Sequence, residues 1–342
     1  MARFISSTHG RATGVGGLPH EDPAGAVDGV LAAFPEVPYA PGLPNRGPFE
    51  QIVWNDATTL PGLEVVEGRL IVDRAADHAA AMEQVYLDFV EGNAAAYGPS
   101  PETYSGLLEL ASRDLSSAVL VKGQVTGPVT FGMQVVDTEK RPVLYDEVYA
   151  DLLAKMLALR AKAVEERLAA TGVGETLVVL NEPYWASLGS TVVPVAEETV
   201  RLAFEDIASL VEGGLGVHCC SNTDWTFVMD LDPAVISLDA YQTSAEFLLY
   251  AEQAAAYLER GGIVAWGVVP ADARLFAEES ETSLISRMAA IRAAMAEYVD
   301  PALLVRQSLI TPSCGIRFAT GPEADRIQQT AAAVAAAWRE GA

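Results

Sequence analysis

Short apolar runs alternate with longer segments of helical periodicity along most of this chain. Buried strands are predicted at 117–123, 176–180, 216–220, 234–238, 262–269 and 303–310. Helices are predicted between and after them, at 144–170, 195–212, 244–259, 283–297 and 323–338. Strands that alternate with helices pair in parallel through right-handed crossovers. The pattern therefore predicts an α/β protein with a parallel sheet.

The number of strand–helix units decides between two parallel architectures. We count about eight units when a glycine-turn strand at 11–19 and one strand in the proline-rich stretch 35–48 are included. Eight units in 342 residues predict a single (β/α)8 TIM barrel over residues 1–342. A doubly wound sheet is the alternative. A small hairpin at 64–72 and a helix from Asp22 to about Phe34 are also predicted.

Polar side chains follow the predicted strands where those strands end. They are Lys122, Asn181, Glu182, His218, Cys220, Asp239 and Cys314. In a barrel, the carboxyl ends of all strands lie on one face, where barrel enzymes build their active sites. Residues separated by two hundred positions in the chain are therefore expected to converge there.

One histidine and two cysteines of this set could hold a metal ion. His218 and Cys220 share a face of their strand because successive side chains point to opposite sides, and Cys219 faces the other way. With Cys314 they offer one imidazole and two thiolates, a donor set that suits zinc. The alternative is that adjacent cysteines are small buried apolar residues, since the spacing is not a common zinc signature.

The group that occupies the fourth coordination position of such a zinc ion decides which reaction the site supports. Asp239 is the candidate for a loose fourth ligand, although it could equally be the N-cap of the following helix. If a substrate thiol displaces that ligand, zinc lowers the thiol pKa and presents a thiolate. If water takes the position, zinc supports hydrolysis. Two anionic sulfurs already donate charge to the metal, which favours alkyl transfer to sulfur over hydrolysis.

The composition restricts the kinds of binding partner and the cellular compartment that we expect for this protein. A formal net charge of −24 argues against nucleic-acid binding and against anionic membrane surfaces. No apolar run is long enough to span a membrane, and Met1–Ser6 lacks the apolar core of a signal peptide. Three cysteines cannot all pair, so we expect a reduced, cytoplasmic protein.

Six short motifs in order carry a family resemblance over roughly residues 13–315. They are Gly-Gly-Leu-Pro at 16–19, Thr-Gly-Pro-Val-Thr at 126–130, Asn-Glu-Pro at 181–183, His-Cys-Cys at 218–220, Ile-Ser-Leu-Asp at 236–239 and Pro-Ser-Cys-Gly at 312–315. The chain resembles the catalytic half of cobalamin-independent methionine synthase and its relatives, a superfamily shared with uroporphyrinogen decarboxylase. The resemblance implies a TIM-type barrel with zinc on His218, Cys220 and Cys314. The family's fourth ligand is a glutamate, and Asp239 occupies that position here.

The same resemblance implies a set of substrate-binding residues. Val15 and Gly17 lie where the family's amino-acid substrate touches the backbone and a serine, and that serine is glycine here. Glu50 matches a substrate-binding carboxylate of the family. Asn181 replaces an aspartate expected to meet a substrate ammonium group. From the residue type alone, Glu182 could hold that group, or it could be a buried carboxylate that pairs with an arginine or with backbone amides. Homocysteine is the acceptor that the resemblance implies.

We expect a single barrel without the duplicated N-terminal half of the family, and short single-barrel relatives resemble methyltransferases that use methylcobalamin or a methylated corrinoid protein. We therefore predict a zinc-dependent methyltransferase that converts homocysteine to methionine, with a corrinoid protein as a possible partner. The alternatives are a coenzyme M-like acceptor, a zinc hydrolase, and a non-catalytic binding protein of a corrinoid system.

Overall fold

The computed structural model describes residues 5–6 and 8–341. The strands are β1 (Arg11–Ala12), β2 (Leu63–Val66), β3 (Arg69–Val72), β4 (Leu120–Thr126), β5 (Val136–Asp137), β6 (Glu175–Asn181), β7 (Gly214–Cys219), β8 (Val235–Leu238), β9 (Ile263–Val269) and β10 (Ser308–Pro312). The α-helices are α1 (Pro23–Ala33), α2 (Trp54–Ala57), α3 (Ala79–Glu91), α4 (Ser105–Leu110), α5 (Pro128–Gln134), α6 (Glu147–Ala169), α7 (Glu197–Leu210), α8 (Trp225–Asp230), α9 (Ala240–Phe247), α10 (Ala251–Glu259), α11 (Ala273–Glu278), α12 (Glu281–Met295), α13 (Pro301–Arg306) and α14 (Gly321–Glu340). Part of the N-terminal segment used for the signal-peptide prediction, residues 1–4, lies outside this description.

One curled parallel sheet organises the molecule. Within the described residues it has seven strands in the order β1-β10-β9-β8-β7-β6-β4, and β2, β3 and β5 form a separate three-stranded sheet. From β4 to β10 neighbours follow chain order, and the last strand returns to lie beside the first. A doubly wound sheet would instead reverse its order at a switch point. The order is therefore that of a TIM-like barrel.

The predicted eighth strand in the proline-rich stretch is wrong as a regular strand. Instead, Tyr39 makes an isolated parallel bridge to Lys122 of β4, and Gly42 makes another to Gly17 beyond β1. Pro38 and Pro41 have no N–H to donate, so this segment cannot form a continuous ladder with either edge. The structure is thus a seven-stranded half-barrel rather than a closed eight-stranded one.

The inner face of this sheet changes character from one end to the other. Alternate positions near the strand starts form a separate apolar cluster that includes Leu120, Leu177, Val235, Ile263 and Leu309. Two or four residues further along these faces, β4, β6 and β8 carry polar side chains, namely Lys122 and Gln124, Asn181, and Ser237. The register pairs position 181 with 218 and position 218 with 237, so these polar residues lie side by side. The sequence pattern thus places packing at one end and chemistry at the other.

Local signals account for the elements that were predicted well and for one that was not. The hairpin of β2 and β3 is confirmed, and so is α1 with Asp22 as its N-cap. The strand predicted at 303–310 begins only at Ser308, because Asp300 caps a short helix that starts at Pro301. None of the described helices combines the length and apolar content needed to cross a bilayer.

Candidate metal centre

The structure brings His218, Cys220 and Cys314 together at the carboxyl end of the sheet. His218 lies on β7, Cys220 follows that strand directly, and Cys314 follows β10. One ligand atom from each of the three residues lies within 4.8 Å of the other two. The convergence expected from strand ends that are nearly a hundred residues apart is therefore present.

The imidazole of His218 is arranged as a metal ligand would be. Its Nδ1 lies 2.9 Å from the hydroxyl oxygen of Ser237, which stands opposite it on β8. Its Nε2 is buried and has no hydrogen-bond partner among the described residues. Buried polar atoms normally have partners, and a ligating histidine is usually oriented through its other ring nitrogen. A free nitrogen beside two thiols therefore fits a zinc ion.

Of the three cysteines, Cys220 is the one whose thiol most readily loses its proton, and the neighbouring thiol of Cys314 stabilises the resulting negative charge. The Cys314 thiol and the His218 imidazole hold the pKa of Cys220 well below its usual range, although burial opposes this. The pKa of Cys314 is raised, because its thiol hydrogen-bonds to Cys220 and is buried. Burial also raises the pKa of Cys219 to about 12, and its thiol donates to the Ser221 carbonyl at 3.4 Å. Cys219 is a packed thiol outside the cluster.

Asp239 directly follows β8, the strand beside β7, and its carboxylate caps a helix. Its side chain accepts from the Gln242 backbone N–H at 2.9 Å and from the Gln242 side-chain amide at 2.9 Å, and so caps α9. Burial raises its pKa, and the negative charge of Cys220 contributes in the same direction. The N-cap role that the sequence left open is observed, and ligation by Asp239 stays a prediction.

A cavity of about 220 Å³ opens directly onto the cysteines. Residues predicted for the site that line it are Val15, Gly17, Glu50, Asn181, His218, Cys220 and Cys314. Two cavities elsewhere, of about 540 and 420 Å³, are larger but contain none of these residues. Chemistry rather than size therefore marks the candidate site. Its volume suits a small molecule bound beside the metal-ligand cluster.

Glu50 lines this cavity, but its carboxylate already has partners. It accepts from the Arg46 guanidinium at 2.9 Å, from the Leu43 N–H at 3.3 Å, and from the N–H and hydroxyl of Ser105. It is 5% exposed, so these partners offset the cost of burying a charge. Binding of substrate by Glu50 stays a prediction.

Glu182 does not line the cavity and instead holds the start of α5. Its carboxylate accepts from the N–H groups of Val129 and Thr130 at 2.9 and 2.8 Å, and from the Thr130 hydroxyl at 2.6 Å. Burial raises its pKa to about 7, against the opposing effect of these hydrogen bonds. The pairing with backbone amides that the sequence left open is observed. A direct contact between Glu182 and substrate stays a prediction.

Lys122 positions the glycine turn that forms one wall of the cavity. Its ammonium group is buried and donates to the Gly14 and Val15 carbonyls at 2.7 and 2.9 Å. Burial lowers its pKa to about 7. Lys122 therefore fixes the backbone beside the cavity without entering it.

Three residues with polar side chains that line the cavity were not found by the sequence analysis: Asn55, Gln124 and Arg317. Gln124 could have been found, because it lies two positions after Lys122 on the same face of β4. Asn55 and Arg317 lie on α2 and on the loop after β10, and no sequence pattern marks them. Ser237, which orients His218, was quoted only as part of a motif.

No family model matches the sequence, and no curated protein matches it. Solved structures are similar at low sequence identity. A Listeria monocytogenes protein described as a candidate vitamin-B12-independent methionine synthase has a TM-score of 0.53 at 14% identity, over 92% of this chain and 85% of that one. At this identity the similarity shows a shared fold and nothing finer.

Two other structures are more distant. A B12-independent methionine synthase from Shewanella sp. W3-18-1, in complex with selenomethionine, has a TM-score of 0.44 at 16% identity, over 65% of this chain and 62% of that one. This chain thus spans less than two thirds of the Shewanella chain. A β-mannanase from Alicyclobacillus acidocaldarius has a TM-score of 0.39 at 15% identity, over 97% and 98% of the two chains.

Proposed function

We propose that this protein is a zinc-dependent methyltransferase that methylates the sulfur of a small thiol. One observation carries the proposal: the buried, unpartnered Nε2 of His218 lies with two cysteine sulfurs beside a cavity of small-molecule size. The shared fold with a described methionine synthase, and the ordered motifs of the sequence, support the same reading.

His218, Cys220 and Cys314 would hold the zinc ion, with Ser237 orienting the imidazole. When bound, zinc would lower the pKa of an acceptor thiol and favour its thiolate form at neutral pH. The acceptor sulfur then forms a bond to the methyl carbon as the bond from that carbon to the donor breaks. The electron pair of the broken bond leaves with the donor, and the thiol proton goes to solvent.

The acceptor and donor in this proposal come from the sequence resemblance. Homocysteine is the acceptor that the resemblance implies, and methylcobalamin or a methylated corrinoid protein is the donor. The Listeria neighbour is described as vitamin-B12-independent, so a folate donor must be compared directly with a cobalamin donor. Cytoplasmic location and a possible corrinoid-protein partner belong to the same proposal.

Metal content and metal environment test the proposal. We expect about one zinc per chain in protein purified without chelators, and one more sulfur in the zinc shell, by X-ray absorption, when a thiol is added. Methyl transfer to that thiol would then be followed with methylcobalamin and with methyltetrahydrofolate. A zinc shell that no thiol changes, together with ester or amide hydrolysis, would overturn the proposal in favour of a hydrolase. If protein purified in this way contains no zinc, the proposed function fails and only the description of the fold stands.

A further inference from the structure

A carboxylate lies near the candidate metal centre but does not reach it. Asp239 is two residues beyond Ser237, whose hydroxyl contacts His218. The described group of ligand atoms that all lie within 4.8 Å of one another contains His218, Cys220 and Cys314, and it does not include Asp239. Atoms bound at about 2.0 to 2.3 Å to one zinc ion lie within about 4.6 Å of one another. Asp239 would therefore have to move before it could share a metal ion with the cluster.

Both oxygens of the Asp239 carboxylate accept hydrogen bonds from one residue of α9, Gln242. The backbone N–H of Gln242 donates to Oδ1 at 2.9 Å, and its side-chain amide donates to Oδ2 at 2.9 Å. Asp239 is 2% exposed, so water cannot easily replace these donors. Moving the carboxylate towards the cluster would stretch both hydrogen bonds, and the N–H at the start of α9 would lose its acceptor. Gln242 therefore opposes the movement that ligation requires.

The turn that carries Asp239 is itself held in place by its neighbours. Thr243 donates to the Asp239 carbonyl through its backbone N–H at 3.0 Å and its hydroxyl at 2.6 Å. Thr243 has non-helical backbone angles (φ −120°, ψ 17°), so this first turn is separated by a kink from the rest of α9. The Tyr241 hydroxyl donates to Glu279 at 2.9 Å, and the Arg287 guanidinium lies 4.4 Å from the centre of the Tyr241 ring. The turn is thus fixed from outside the metal site as well as from within.

We propose that the metal ion has three protein ligands, and that the first turn of α9 keeps the fourth coordination position free for the acceptor thiol by holding Asp239 away from it. This inference rests on the proposed function and deepens it. Gln242 is a positioning residue, because it acts through Asp239 and does not line the cavity. The acceptor sulfur then enters without displacing a protein group. Ligation by Asp239, followed by its displacement, is the alternative that the experiment decides.

Cobalt(II) in place of zinc makes the fourth position visible, because a sulfur that joins cobalt(II) adds a charge-transfer band to the absorption spectrum. Titration of the cobalt-loaded protein with 2-mercaptoethanol gives a Kd for thiol entry. We expect Asp239→Asn to change this Kd by less than about twofold, because asparagine keeps the cap and no carboxylate had to be displaced. Asp239→Glu should raise the Kd about tenfold, because a side chain longer by one methylene group reaches the metal and competes with the thiol.

The variant Gln242→Leu examines the positioning residue. It removes the side-chain donor and keeps the backbone N–H, so Asp239 is freer to approach the metal, and we expect the Kd for 2-mercaptoethanol to rise about threefold. The double variant Asp239→Asn with Gln242→Leu should return to the wild-type Kd, because no carboxylate is left to compete. A purely structural role of Gln242 would give no such rescue. An unchanged Kd in Gln242→Leu would overturn the role assigned to Gln242.

The matched control for the longer side chain is Asp272→Glu. Asp272 caps α11 by accepting from the N–H groups of Arg274 and Leu275, as Asp239 caps α9, and it does not line the cavity. Its metal content and its Kd for 2-mercaptoethanol should equal those of the wild type. A rise in Kd as large as that of Asp239→Glu would mean that lengthening a cap, rather than closing the fourth position, weakens thiol entry, and the inference would be overturned.

Failure of the inference and failure of the proposed function give different results. If Asp239→Asn lowers the Kd for 2-mercaptoethanol about tenfold and weakens metal binding, Asp239 is a ligand, and the inference is overturned while thiol methylation stands. A wild-type Kd in Asp239→Glu would overturn it as well. If the wild-type protein binds the metal but no thiol enters its shell, the proposed function fails and this inference fails with it.

Discussion

Two sets of polar side chains lie at the ends of the strands of this sheet, and the fold satisfies their hydrogen-bonding groups to different extents. The cluster of His218, Cys220 and Cys314 has a buried ring nitrogen without a partner. The carboxylates of Glu182 and Asp239 have backbone or side-chain donors on both oxygens. Both sets looked equally functional as strand-end residues. The two sets therefore differ in bonding capacity: His218 Nε2 has no partner among the described residues, whereas all four carboxylate oxygens accept hydrogen bonds.

The largest expected effect comes from breaking the cluster. Replacing Cys220 by serine removes a thiolate ligand, and we expect bound zinc to fall by about tenfold or more. Metal analysis of the purified variant measures this. Cys219→Ser is the matched control, because its thiol only donates to a backbone carbonyl and a hydroxyl can do the same. Equal zinc loss in the control would mean that the cluster had been assigned to the wrong cysteine.

A second test concerns Lys122, a strand-end charge that the fold satisfies with two carbonyls. Its pKa is lowered to about 7 in the folded protein and is near 10.5 when unfolded, so between these values only the unfolded chain holds the extra proton. The contribution of Lys122 to stability should therefore rise with pH, by on the order of 4 kcal/mol from pH 7 to pH 10. Urea unfolding of wild type and Lys122→Met isolates this slope.

The control for that slope is Lys140→Met, since Lys140 is exposed. The unfolding free energy of the Lys140→Met variant should have the same pH dependence as that of the wild type. A wild-type slope that Lys122→Met does not remove would show that Lys122 keeps its proton when folded.

The substitution Glu182→Gln tests whether Glu182 only holds the start of α5 or also binds substrate. An amide has one acceptor oxygen, so one donor at the start of α5 is left buried without a partner, at a cost of about 2 kcal/mol in unfolding free energy. Zinc content should not change. Glu205→Gln, at an exposed position on α7, should cost little in the same urea titration. A thiol affinity that falls while stability is kept would return Glu182 to the substrate-binding set.

The smallest effect is expected at Asp239. Asparagine keeps an N-cap acceptor, so Asp239→Asn should lower the unfolding free energy by about 1 kcal/mol or less. Zinc stoichiometry should stay the same as in wild type. Loss of zinc from this variant would restore Asp239 as the fourth ligand and blur the contrast between the two sets.

Much of the fold was readable from local pattern. Alternation of apolar runs and helical segments predicted the parallel sheet, and the strand-end positions predicted that His218, Cys220 and Cys314 would meet. The errors fell where local chemistry competed. Pro38 and Pro41 reduced the eighth strand to isolated bridges, and Asp300 with Pro301 turned the start of the last predicted strand into a helix.

By itself, the sequence determined the faces of the strands, the order of the polar ends and the residue types available for a metal. Only the tertiary structure decided which of those residues had bonding capacity left over. The reason is physical: the partners that satisfy Glu182, Asp239 and Glu50 are backbone N–H groups and side chains brought in by other elements. No periodicity along the chain encodes that pairing. The atoms without partners, His218 Nε2 among them, emerge only when every contact is in place.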